Sequence, residues 1–180
     1  MKGRVYLVGD DIRADAIVAR AYATFDLNDS GERAELAATA FDSLRDEYGP
    51  FIASGETRSP YTIVVAGELF GAGAGAAHAA AALGEAGVRA VIAASFGPEF
   101  ERIAVNEGHF FPLRGEAVAI DSFRSHLSRG DEVSINLETM TLQSNDGAQL
   151  ALAPLGVVRT IVEAGGLAAF LESNEPVEGG

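Results

Sequence analysis

The stretch YTIVVAGELFGAGAGAAHAAAALGEAGVRAVIAAS, residues 61–95, decides the fold prediction. Its two apolar runs, residues 61–67 and 88–95, are typical of buried strands, and an alanine-rich segment from Ala76 to Ala86 lies between them. Gly87 is expected to end the helix that this segment predicts. Two apolar strands joined by a helix over about thirty residues form a parallel βαβ unit. The stretch therefore predicts an α/β fold with a parallel core.

The segments before this core predict one further strand and one long helix. RVYLVGDD, residues 4–11, predicts a short strand that opens into an acidic loop. Residues 31–48 carry apolar side chains at helical spacing and predict a single helix. Asp29 or Ser30 is suited to cap its start, and the pair Gly49-Pro50 is suited to end it.

The segments after the core predict first a helix and then β-structure. A short helix is expected over about residues 99–107, and alternating apolar residues over 133–142 predict strands. Residues 145–147, NDG, predict a hairpin turn. The closing segment predicts two short helices separated by Gly165-Gly166. We therefore expect one domain over residues 1–172 and a flexible tail over 173–180.

Composition narrows the choice of partners and cofactors. The net charge of −13 argues against nucleic acid or an anionic membrane as a partner. The longest apolar region is interrupted by charged residues and glycines, and the N-terminus lacks a signal-peptide pattern, so a cytoplasmic protein is expected. The chain has no cysteine and so offers no thiolate ligand for a metal or an iron–sulfur cluster.

The glycine-rich loop at residues 70–77 has the form of an anion-binding loop but lacks reactive side chains. It contains no hydroxyl, carboxylate, guanidinium or thiol. Gly71, Gly73 and Ala76 satisfy the dinucleotide pattern G-x-G-x-x-A, which raises a nucleotide-binding domain as one hypothesis. Three residues separate the first glycine from the strand, however, and the second strand ends in Ala94-Ser95 with no acidic residue for a ribose. These two features weigh against a dinucleotide site.

The order of segments resembles the small subunit of 3-isopropylmalate dehydratase, which corresponds to the swivelling domain of the aconitase family. The segments that carry the resemblance are GRVYLVGDDIRADAIVARAY (3–22), VVAGELFGAGAGAAHAAAAL (64–83), AVIAASFGPEFERIAVNEG (90–108), GDEVSINLE (130–138) and VEAGGLAAFLE (162–172). The resemblance implies a single β/β/α swivelling domain around the parallel βαβ core.

The resemblance also implies a hydro-lyase split over two chains. The large subunit would carry a four-iron cluster and the small subunit would supply a loop for a small 2-hydroxy di- or tricarboxylic acid. In the family that loop contains a serine that acts as a base and an arginine that binds a substrate carboxylate. This division is consistent with the absence of cysteine from the present chain.

The chain departs from the family at the positions that would do this chemistry. The family's cysteine falls on Ala72, its serines fall on Ala74 and Gly75, its arginine on Ala76 and its glutamate on Ala77. Alanine cannot accept a proton, and loss of a base typically reduces a rate by about two to four orders of magnitude.

The remaining candidates for the site come from the same loop and from the loop after the first strand. Backbone N–H groups near Gly71, Gly73 and Gly75 are candidates for anion binding. His78 is either a structural anchor or a proton-transfer group. Arg13 is either a replacement for the lost arginine or a solvated side chain paired with a carboxylate, and Asp15 is the remaining acid of the family's motif there. Two functions stay open: a hydro-lyase small subunit, or a non-catalytic paralogue that stabilises or regulates a large subunit.

Overall fold

Seven strands form one sheet in the computed structural model, which describes residues 1–174. In chain order they are β1 (Lys2–Leu7), β2 (Ile63–Val65), β3 (Ala90–Ala93), β4 (Phe111–Arg114), β5 (Glu132–Asn136), β6 (Thr141–Ser144) and β7 (Gln149–Ala151). Their spatial order is β4-β3-β2-β1-β5-β6-β7. The first four strands are mutually parallel, whereas β5, β6 and β7 continue the sheet as an antiparallel meander.

Eight α-helices surround the sheet in the described part of the chain. They are α1 (Ala14–Ile17), α2 (Ser30–Ala38), α3 (Arg45–Tyr48), α4 (Ala76–Glu85), α5 (Pro98–Asn106), α6 (Ala117–Ser125), α7 (Val157–Glu163) and α8 (Leu167–Ser173). Short 3₁₀ turns span Arg20–Tyr22 and Asp42–Leu44. Within residues 1–174 no helix is both long enough and apolar enough to cross a membrane.

The predicted parallel βαβ unit is confirmed. β2 and β3 pair in parallel, with Ile63 opposite Ala90, and α4 connects them. Side chains from both faces of these strands are buried, because Val64 joins one apolar cluster and Val65 joins the other. Burial on both faces explains why the strands are continuously apolar instead of alternating.

The single helix predicted over residues 31–48 is wrong. Asp29 does cap α2, since its Oδ1 accepts hydrogen bonds from the backbone N–H groups of Gly31 (2.8 Å) and Glu32 (2.9 Å). The helix nevertheless ends at Ala38, and Phe41 takes a left-handed backbone with φ of 60°. This turn buries the Phe41 ring against Tyr6 and Phe51, at centroid distances of 5.2 and 5.0 Å. Aromatic packing therefore outweighs local helical periodicity here.

The C-terminal half agrees with its predicted strands and adds two elements. The predicted strands and hairpin appear as β5, β6 and β7, and the Gly165-Gly166 break separates α7 from α8. Strand β4 and helix α6 have no counterpart in the sequence predictions. Of the predicted tail, Ser173 ends α8, and residues 175–180 lie outside the described part of the chain.

Candidate functional site

The glycine-rich loop lies at the edge of the sheet where the parallel strands have their carboxyl ends. Backbone hydrogen bonds join it to the segment after β1: Gly71 N–H donates to Ile12 O (2.7 Å), and Ala14 N–H donates to Ala72 O (2.9 Å). On its other side it is joined to the segment after β3, where Phe70 N–H donates to Ser95 O (3.0 Å). Three chain segments thus form one edge, the position where open α/β sheets bind ligands.

Positive φ angles at the loop's glycines allow these close approaches. Gly71, Gly73 and Gly75 have φ of 74°, 97° and 90°. A Cβ on Gly71 would overlap the buried Phe100 ring, and a Cβ on Gly73 would lie 2.5 Å from Nη2 of Arg13. Around Gly75, no atom of the described chain other than those of the residue and its sequence neighbours lies within 4 Å of the Cβ position. Gly71 is therefore needed for packing, because the buried Phe100 ring cannot move aside, whereas the half-exposed Arg13 side chain at Gly73 can move and Gly75 faces open space.

Two helices begin at this edge with their backbone donors uncapped by side chains. Gly75 is the N-cap of α4 and Gly97 is the N-cap of α5, and neither helix start receives a side-chain hydrogen bond from residues 1–174. The first N–H groups of a helix lack partners inside the helix, and they carry the positive end of its dipole. The start of α4, whose first turn has no acidic residue, therefore favours an anion, whereas the first turn of α5 already carries Glu99 and Glu101.

Arg13 lies directly against the glycine loop. Its guanidinium approaches Gly73, its side chain is 50% exposed, and its Nε is 3.7 Å from Oδ1 of Asp15. Asp15 is held more closely by Arg20, whose Nη2 is 2.7 Å from Asp15 Oδ2. The hydrogen bond from Arg20 lowers the pKa of Asp15, so this acid remains a carboxylate at neutral pH. In the part of the chain that is described, Arg13 donates no hydrogen bond, which leaves its N–H groups available at the loop.

His78 contacts a neighbouring segment from the first turn of α4. Its Nε2 lies 3.1 Å from the carbonyl oxygen of Phe25, so a neutral imidazole protonated at Nε2 would donate a hydrogen bond there. The contact joins α4 to residues 19–29, which run beside the loop. His78 also lines a cavity of about 180 Å³ together with Asp15, Arg20, Ala74 and Gly75.

A second cavity of about 260 Å³ lies on the other side of the loop, between Gly73 and the start of α5. Its lining includes Gly71, Ala74 and Gly97. Each of the predicted site residues (Gly71, Gly73, Gly75, Arg13, Asp15 and His78) therefore contacts the loop or lines one of the two cavities beside it. A larger cavity than either of these, about 410 Å³, lies elsewhere, between α5, β4 and residues 153–158.

Two contributors to this edge, Gly97 and Arg20, are not among the residues predicted from the sequence. A Cβ on Gly97 would lie 2.6 Å from Cα of Ala72, so Gly97 permits α5 to start against the loop. Arg20 holds Asp15, and Ser95 Oγ accepts a hydrogen bond from Leu69 N–H at 2.9 Å. The sequence does contain a signal for Gly97: it directly precedes Pro98, and proline favours the first turn of a helix, which makes Gly97 a candidate N-cap.

The residues present do not fit an iron–sulfur cluster or another resident metal. The chain has no cysteine, and residues 1–174 contain no group of three or more His, Asp or Glu side chains placed to hold a metal ion. The described part of the chain therefore brings backbone donors, Arg13, Asp15 and His78 to the site, but no grouped set of metal ligands.

Comparison with known proteins identifies this architecture. The family model of the aconitase C-terminal domain matches residues 19–117. A 3-isopropylmalate dehydratase small subunit of Archaeoglobus fulgidus is 34% identical over 173 residues, which cover 95% of this chain and 96% of that protein. The chain belongs to the aconitase C-terminal domain family.

Two further comparisons support the family assignment. Small subunit 2 of 3-isopropylmalate dehydratase from Arabidopsis thaliana is 35% identical over 93% of this chain, which spans 66% of that relative's length. The crystal structure of a 3-isopropylmalate dehydratase protein from Methanocaldococcus jannaschii superposes with a TM-score of 0.75 and 30% identity, over 96% of this chain and 93% of that one. The predicted α/β fold of the aconitase-family swivelling domain is thereby confirmed.

Proposed function

We propose that this chain is the small subunit of a two-chain hydro-lyase that dehydrates or isomerises a 2-hydroxy di- or tricarboxylic acid. Its partner would be a large subunit of the aconitase family that carries the iron–sulfur cluster. The observation that carries the proposal is the convergence of two uncapped helix starts and the Arg13 guanidinium on one glycine loop. The small-subunit names of the full-length relatives support the division into two chains.

The chain's own residues would bind and orient the substrate. One carboxylate would accept hydrogen bonds from backbone N–H groups at the start of α4 and pair with Arg13. A hydrogen bond to a charged group contributes about 1.5–3 kcal/mol, and the half-exposed position of Arg13 favours the lower end of that range. His78 would hold residues 19–29 against α4 through Phe25 and so preserve the shape of the adjoining cavity.

The loop supplies no base of its own. Ala74, Ala76 and Ala77 occupy the loop and the first turn of α4, and none of them has an atom that can accept a proton. Proton removal from substrate carbon would therefore depend on a group outside the loop, from the partner subunit. The cluster would activate the substrate hydroxyl when present, and its ligands would come from the partner as well.

The same alanines favour a second candidate function. A swivel domain that stabilises or regulates a large subunit without taking part in catalysis needs the fold and the interface but no reactive loop. Such a paralogue would tolerate Ala74 and Ala76 at positions where a catalytic loop would need reactive side chains. The two candidates differ in whether the assembled pair turns over a hydroxy acid that the large subunit alone does not.

The deciding experiment is reconstitution. The chain is co-expressed with the aconitase-family large subunit of the same genome, and the purified pair is assayed anaerobically on a panel of 2-hydroxy di- and tricarboxylic acids that includes isopropylmalate. We expect a stable pair and turnover of at least one acid, with low activity on isopropylmalate. A stable pair without turnover on any acid would favour the non-catalytic candidate. Failure of the two chains to associate would refute both.

A further inference from the structure

Leu69 combines an exposed apolar side chain with an unfavourable backbone at the rim of the site. Its side chain is 50% exposed, and its φ is 55°. Residues 1–174 contain three other exposed large apolar residues, Val118, Val157 and Leu171, and each of these lies in a regular helix with ordinary backbone angles. Of these four exposed residues, Leu69 is therefore the one that the fold holds in a left-handed backbone conformation.

The surrounding contacts impose this conformation on the backbone. Leu69 N–H donates to Ser95 Oγ (2.9 Å), and Glu68 N–H donates to Asp10 Oδ1 (3.0 Å). Glu68 O accepts a hydrogen bond from Asp11 N–H (2.8 Å). A left-handed backbone is an outlier for a bulky residue, and such outliers concentrate at functional sites. Glycine or asparagine would satisfy the same backbone without strain, so the packing of this chain alone does not explain a leucine.

We propose that Leu69 is the apolar anchor through which this chain docks on its large subunit. The proposal rests on the proposed function, because it needs a partner that covers the edge containing the glycine loop. Leu69 immediately precedes Phe70 and Gly71 of that loop, so a partner that closes over the loop meets Leu69. Burial of a leucine between two folded surfaces is favourable because it removes apolar area from water.

The charges beside Leu69 indicate the chemistry of the opposing surface. Asp11 and Glu68 are both exposed and flank the leucine, and within the described chain neither carboxylate forms an ion pair. A second copy of this chain docking symmetrically would bring these carboxylates toward their own copies, which is unfavourable. The complementary surface is therefore an apolar socket bordered by lysine or arginine, on a different protein.

The first test measures the affinity of the large subunit for variants of this chain. Leu69→Ala keeps the left-handed position but removes most of the apolar contact, whereas Leu69→Met retains it. Leu171→Ala is the matched control, because Leu171 is 55% exposed on α8, away from the loop. We expect Leu69→Ala to raise the Kd of the pair at least ten-fold, and Leu69→Met and Leu171→Ala to change it less than about three-fold.

The second test compares the stability of the isolated chain with the affinity of the pair. Leu69→Asn should raise the Tm of the isolated chain, because asparagine tolerates the left-handed region, while it weakens the pair as Leu69→Ala does. Opposite effects on stability and affinity separate an anchor from a residue that merely supports the fold.

The results of these tests distinguish failure of the anchor proposal from failure of the proposed function. If the wild-type chain does not bind the large subunit, the proposed function fails and the anchor falls with it. If the wild-type pair forms but Leu69→Ala binds as tightly as Leu171→Ala, the anchor alone is refuted. If Leu69→Ala instead dissociates a homodimer of this chain, the occupant is a second copy and the proposal is overturned.

Discussion

Adding one methyl group at Gly71 or at Gly75 separates packing from backbone strain in the glycine loop. Both residues have positive φ, 74° and 90°, so alanine incurs a similar conformational cost at each, roughly 1–2 kcal/mol. At Gly71 the new Cβ would overlap the ring of Phe100, whereas at Gly75 it would meet no described atom within 4 Å beyond its sequence neighbours. Phe100 is fully buried, and the Phe70 and Phe110 rings lie 5.4 and 5.7 Å from it, centroid to centroid.

The Phe100 ring therefore cannot move away cheaply, and overpacking of this kind costs typically 1–3 kcal/mol. Gly71→Ala should lower the free energy of unfolding by about 1–3 kcal/mol more than Gly75→Ala does. Urea unfolding of the two variants and the wild-type chain, followed by circular dichroism, gives the comparison. Equal losses for the two variants would refute the packing of α5 against the loop as described.

Two further predictions concern the isolated chain. His78→Ala should accelerate amide hydrogen exchange over residues 19–29, because it removes the contact with Phe25 O, and should reduce the free energy of unfolding by about 1 kcal/mol. The control is His126→Ala, at an exposed position, which should leave exchange in that segment unchanged. Burial raises the pKa of Tyr6 to about 12 from the usual 10.0, so the contribution of Tyr6 to stability should be fully present below pH 10 and be lost as pH rises from about 10 to about 12. Tyr6→Phe should lack that part of the pH dependence, and parallel curves for the two proteins would contradict the burial of an un-ionised hydroxyl.

The parallel core follows from the sequence because its signal is local. Strands β2 and β3 are buried on both faces and read as continuous apolar runs, and α4 fills the required crossover between them. The left-handed turn at Phe41 is different. Its cause is an aromatic cluster with Tyr6 and Phe51, residues that are distant in the chain, and periodicity within residues 31–48 contains no trace of that packing.

The candidate site is predictable in its members but not in its contacts. The glycines, His78 and Arg13 stand out as residue types in suitable loops, yet the contact of the Arg13 guanidinium with Gly73 depends on how two loops meet at the sheet edge. The same holds for His78, whose partner is a backbone carbonyl 53 positions away. Such contacts have no signature in residue type or spacing, because any segment can present a carbonyl.

The central claim is that this chain binds a substrate carboxylate at the glycine loop through Arg13. Its most direct test is to measure kcat/KM of the reconstituted pair that contains Arg13→Ala. Arg89→Ala is the matched control, because Arg89 is exposed at the opposite end of the parallel strands, just before β3. We predict a loss of about ten-fold or more for Arg13→Ala, on the order of 1.4 kcal/mol, with partial recovery in Arg13→Lys and no loss in Arg89→Ala. An Arg13→Ala pair as active as the Arg89→Ala pair would contradict the claim.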